Sequence, residues 1–180
     1  MTGQWQPRAL AAAAQVAATT GDDNESVRLA NDALRMLGAG SQELQAEVLG
    51  TVTQVLIRCG HINDAESVAS QIIDRSAQAQ TRTIIAAAAA RAGDVATAER
   101  IAHGIAPEQA QARASAAIAR SLMATGHGHD AERISSALLL GPAWPDAVGL
   151  LTARHIQLQA ARHPDDLQWL TDFVAGEIFL

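Results

Sequence analysis

The chain has 180 residues, a formal charge of −6, 48% apolar side chains and a single cysteine. That apolar fraction supplies a folded core and excludes disorder, while the negative charge disfavours nonspecific binding to nucleic acid, which needs a surplus of cations on some face. No apolar run reaches the length of a membrane span, and no basic segment precedes an apolar stretch at the N-terminus, so the expected setting is the cytoplasm, with no membrane contact.

Alanine dominates the apolar residues, and alanine favours helix, whereas strands need β-branched and aromatic residues that are scarce here. The expected class is all-α. The first helix is expected over 6–20, where Leu10, Ala13, Ala14 and Ala17 recur at three- and four-residue spacing. Gly21 ends it, and Asp22 with Glu25 opens the next helix, 23–37. After an insertion around Gly38-Ala39-Gly40-Ser41 come helices over 41–59 and 62–74, separated by Gly60. A boundary near Asp74 to Ala77 precedes 78–92; Gly93 ends that helix, and Asp94 with Thr97 opens 95–105. Pro107 opens 107–125, which carries Ala114, Ala117, Ile118 and Leu122 on one stripe. Gly126 leads into 129–140, Pro142 or Pro145 opens 144–162, and a last helix is expected over 166–177.

Gly60, Gly93 and Gly126 recur every 33 residues, and the residues around them recur as well. Five positions after each glycine stand Ala65, Ala98 and Ala131, followed by Glu66, Glu99 and Glu132. Val68, Ile101 and Ile134 come next, then Ile72, Ile105 and Leu138. Val52, Ile85 and Ile118 stand eight positions before the glycines. A more divergent copy starts at Gly21, 39 residues before Gly60. The unit is a helix, a tight glycine turn and a second helix. One such hairpin cannot bury its apolar face alone, so copies are expected to stack.

The large-small pair Ile118-Ala119, then Leu122, Gly126, Ala131, Ser135 and Leu138, resembles the tetratricopeptide repeat over residues 6 to 162. The resemblance implies a single domain, 1–180, built as a right-handed superhelical α-solenoid of stacked antiparallel hairpins, with 163–180 as a C-terminal capping helix and tail. The period is 33 rather than 34, Ser115 and Leu122 stand in the family's tryptophan and tyrosine columns, and Ala77, Ala110 and Ala143 in its proline column. The pentatricopeptide repeat is a related alternative, but RNA reading fits poorly with the charge. The ankyrin repeat shares the length yet lacks its Thr-Pro-Leu-His stretch.

Candidate chemistry is sparse. His127-Gly128-His129-Asp130 has metal-ligand spacing, but the segment is the repeat's turn and shares columns with His61, Asp64 and Asp94, so helix capping is the expected role and no metal is expected. Glu66, Glu99 and Glu132 come one per repeat, in the first turn of each second helix by this reading, with Arg100 and Arg133 poised to link neighbouring hairpins. Cys59 shares a column with Ala92 and Thr125, which favours a small buried residue over a nucleophile. No phosphate loop, nucleophile elbow or His-Glu-x-x-His helix occurs, so neither an enzyme nor a cofactor site is indicated. The absence of lysine among thirteen basic residues, with abundant Ala and Gly, points to a GC-rich, bacterial coding genome.

In the tetratricopeptide family the first helix of each hairpin lines the concave face. Carried over by resemblance, that face holds Arg8, Gln15, Glu47, Gln54, Arg58, Gln80, Arg91, Arg113 and Arg120. The resemblance implies a protein- or peptide-binding scaffold, and the planar donor fork of arginine favours an acidic segment as partner. The family's carboxylate-clamp lysines and asparagines have no counterparts here. The alternative function is a sensing or regulatory segment of a larger assembly. The five aromatics lie at the chain ends, and Trp144, Trp169, Phe173 and Phe179 form the expected association patch, through which a homodimer is one outcome. A small-molecule enzyme inside the superhelix ranks last.

Overall fold

The computed structural model describes residues 5–38, 41–139, 141 and 144–162. Among these the chain forms nine α-helices and no strand: α1 (Trp5–Thr20), α2 (Asp23–Met36), α3 (Gln42–Arg58), α4 (Ile62–Ala69), α5 (Arg75–Arg91), α6 (Val95–His103), α7 (Glu108–Ala124), α8 (Gly128–Leu138) and α9 (Trp144–Arg162). The helix expected over 166–177 lies outside the described residues. No helix is long and apolar enough to cross a membrane among those described.

The turns follow from backbone chemistry. Gly21, Gly60, Gly93 and Gly126 have φ of +83°, +78°, +84° and +84°, the left-handed region that side chains with a Cβ disfavour. This conformation lets the following amide reach back five residues, from His61 to the Leu56 carbonyl at 2.8 Å, from Asp94 to Ala89 at 3.0 Å and from His127 to Leu122 at 2.8 Å. Helix-end carbonyls that would otherwise lack a partner are thereby satisfied. The chain reverses and starts again. Asp22 accepts the Glu25 amide at 3.1 Å and Asp94 the Thr97 amide at 3.0 Å, as the acceptor side chains required.

Several boundaries differ from the sequence reading, most of all those around the α4–α5 connection and at the start of α7. Helix α4 stops at Ala69 and α5 starts at Arg75, because Asp74 accepts the Ala77 amide at 2.7 Å and Gln78 donates to the Ser70 and Ile72 carbonyls across the connection. Pro107 is the residue before the first turn of α7 and not within it; extended backbone at φ −77°, ψ 172° places it at the cap. The histidines differ too. His61 and His127 occupy cap positions of α4 and α8, but neither side chain caps an amide.

Packing is regular. Each odd-numbered helix contacts the next, α1 with α3, α3 with α5, α5 with α7 and α7 with α9, and each even-numbered helix contacts the odd ones before and after it. One continuous core results, with Val52, Leu56, Ile85, Ile118 and Leu122 as its large members. Burying such a side chain contributes roughly 1.5–3 kcal/mol. Ala65, Ala98 and Ala131 are fully buried, and their single methyl groups let helix axes come close. Even-numbered helices are joined by side chains: Arg100 makes two bonds to Glu66, at 2.7 and 3.1 Å, and Arg133 bonds Glu99 at 2.8 Å. These glutamates stand in the second turn of their helices, so bridging accounts for them and a first-turn dipole role does not. The hydrogen bond from Arg100 holds the Glu66 pKa below the ordinary carboxylate value; burial, the next effect in size, opposes it, and the charges of Arg100 and then Arg82 add to the lowering.

Candidate binding face on the odd-numbered helices

The residues singled out from the sequence fall on α1, α3, α5 and α7, and all of them are exposed. Side chains repeating at four- and three-residue steps along each helix, such as Glu47, Gln54 and Arg58, share a face by helical geometry. What differs from the expectation is how many of the arginines are already engaged. Arg8 forms an ion pair with Glu47 and lies over the Trp5 ring at 5.7 Å from its centroid. Arg58 donates to the Ala18 carbonyl at 3.4 Å, and Arg120 stands 3.7 Å from the Asp146 carboxylate. Arg91 and Arg113 have no hydrogen bond or ion pair with any described residue, and neither does Arg75 at the start of α5. Uncompensated positive charge therefore concentrates on α5 and α7.

A hollow also lies between these two helices. It holds about 870 Å³, and its lining combines Arg75 and Arg113 with Gln80, Ile84 and Pro107. No carboxylate is among the lining residues. Ile84 in its lining is left 49% exposed. Gln80 and Arg113 are among the residues singled out from the sequence, whereas Arg75, Ile84 and Pro107 are not. A signal existed, because the column that holds Glu43 in the second copy holds Ser76 and Gln109 in the next two, and the column of Glu47 holds Gln80 and Arg113. Loss of acid down a column marks where a repeat has stopped neutralising its own arginines.

The other candidates resolve into structural roles. The His127 imidazole lies 3.1 Å from the Thr125 hydroxyl, and a Cβ placed on Gly93 would sit 3.8 Å from it, so the ring packs against the preceding turn. Asp130 stands 3.6 Å from Arg133, and His129 is exposed. Among the described residues, no group of three or more His, Cys, Asp or Glu is placed to hold a metal ion. Cys59 is half-buried at the end of α3; burial first, and then Asp23, raises its thiol pKa above the ordinary value, which lowers its reactivity. Gly128 is packed by Arg154: a Cβ there would fall 2.2 Å from the guanidinium carbon.

Of the expected association patch, Trp144 is 58% exposed on α9, where Val148 and Ile156 are exposed as well. Trp169, Phe173 and Phe179 lie outside the described residues. Comparison of the chain with models of protein families, with curated proteins and with solved structures gives no match in any of the three.

Proposed function

We propose that the chain is a protein- or peptide-binding scaffold: a tetratricopeptide-like, right-handed α-solenoid whose odd-numbered helices line a groove for an acidic segment. The observation that supports this reading most is the set of exposed, unpaired cations on two adjacent odd-numbered helices, Arg75 and Arg113 lining an open hollow and Arg91 at the far end of α5. Guanidinium groups without an internal partner gain most from a carboxylate brought by a ligand, since no existing ion pair has to be broken first. A non-catalytic role, in the cytoplasm, fits the same reading.

The test is a comparison of arginine variants against an acidic partner isolated by affinity capture. Replacing Arg91 and Arg113 by Ala should weaken binding by about 2 kcal/mol or more and make it less sensitive to salt than in the parent, whereas Arg8→Ala should change it little. An unchanged dissociation constant for the Arg91/Arg113 double variant would remove the groove.

The second reading, docking onto a neighbour or a second copy through the C-terminal end, is favoured by the exposed Trp144, Val148 and Ile156 on α9. Trp144→Ser in that case reduces association measured by sedimentation while leaving peptide binding intact.

A further inference from the structure

The chain carries its own reference for the α5–α7 hollow, because the same repeat columns meet between α1 and α3. There Arg8 on α1 faces Glu47 on α3 as an ion pair, and the space left over is split into two small hollows of about 170 and 140 Å³. One repeat pair further on, the column of Arg8 and Glu47 is occupied by Gln80 on α5 and Arg113 on α7. The pair still holds one cation, now on the second helix, where Arg113 takes the place of Glu47, and its partner on the first helix is the neutral amide of Gln80 in the place of Arg8. The hollow here holds about 870 Å³, with Arg75 and the exposed Ile84 in its lining.

We propose that this hollow is the anchor point of the groove and takes a linear peptide in which an aliphatic side chain lies next to a carboxylate. The carboxylate stands in for Glu47, meeting Arg113 and Arg75, and the aliphatic group covers Ile84. The volume suits such an anchor, since ligand pockets span roughly 300–1,000 Å³ and pair an apolar floor with a few placed polar groups. The proposal rests on the groove reading and narrows it to one site and one ligand chemistry.

The experiment titrates the whole chain, labelled with ¹⁵N, with the peptide Gly-Asp-Leu-Asp-Gly and follows backbone amide shifts. Shifts centred on Gln80, Ile84, Ala110 and Arg113 are expected. Binding should fall about tenfold or more for Gly-Asn-Leu-Asn-Gly and for Gly-Asp-Gly-Asp-Gly, which lack the carboxylates and the aliphatic side chain respectively. The variant Gln80→Glu should also lose about tenfold, because it supplies Arg113 with the internal partner that Glu47 gives Arg8, and its melting temperature should not fall. Shifts confined to other parts of the odd-numbered helices would overturn the anchor while leaving the groove in place. No shift on any odd-numbered helix at about 5 mM peptide would overturn both. Equal binding by Gln80→Glu and the parent would overturn the role assigned to the missing carboxylate.

Discussion

The same chemical change, Gly to Ala, should have opposite signs at two positions of this chain. Gly93 has φ +84°, and a methyl group added there meets nothing closer than 3.8 Å, so its cost is conformational and not steric crowding with neighbours. Forcing an alanine into the left-handed region costs roughly 1–2 kcal/mol. Gly50 lies inside α3 in ordinary helical backbone, and a methyl group there meets nothing within 4 Å. Alanine should therefore stabilise the helix by roughly 0.5–1 kcal/mol, mainly by restricting the unfolded chain. The two variants should differ by about 2 kcal/mol. For a chain of this size that separates their melting temperatures by about 4–8 °C, with Gly50→Ala above the parent and Gly93→Ala below it. Circular dichroism at 222 nm, by heat and by urea, measures both. A Gly93→Ala variant as stable as the parent would refute the left-handed turn, and a destabilised Gly50→Ala would refute the open space beside α3.

Ala98 is fully buried, so Ala98→Leu should overpack α6 and lower stability by about 1–3 kcal/mol in urea unfolding; tolerance of the larger side chain would count against close helix approach at that column. Truncating the buried Ile118 to Ala should cost about 2–5 kcal/mol, read the same way, with a loss below 1 kcal/mol denying it a place in the core. Glu66→Gln should cost no more than about 1 kcal/mol at neutral pH, since the Arg100 partner is largely exposed. Its pH dependence has a definite sign: the folded-state pKa of Glu66 is lowered, so the pair stabilises above the unfolded carboxylate pKa, and the contribution is lost as pH falls through the lower folded value. The stability gap between parent and Glu66→Gln should therefore close on acidification below about pH 4, and a gap that widens there would contradict the bridge.

The helix-turn-helix unit was legible because it is encoded locally. A glycine at fixed spacing, an acceptor side chain just after it and an apolar stripe before it act within a few residues of one another, and the turns at Gly60, Gly93 and Gly126 formed where the repeat put them. The bridge from Arg100 to Glu66 was foreseen on the same grounds, since the repeat returns both residue types once per unit. The short α4 was less legible. Its end depends on the Gln78 side chain reaching back to two carbonyls from the following helix, a contact that no periodicity announces. The cap role given to His61 and His127 failed because an imidazole at a cap position is free to turn elsewhere, and His127 turns onto the neighbouring glycine turn.

For the face proposed to bind, the sequence by itself determined which residues stand on the first helix of each unit, because a 3.6-residue period and a 33-residue repeat fix face and column together. It did not determine which of those arginines are free. Arg8, Arg58 and Arg120 find partners on other helices, and pairing of this kind is a matter of distances between elements 26 to 40 residues apart in the chain. Only the tertiary structure decided that Arg113 and Arg75 share a hollow with Ile84. Packing of α5 against α7 is what brings those side chains, with Ala79 and Ala110, around one hollow.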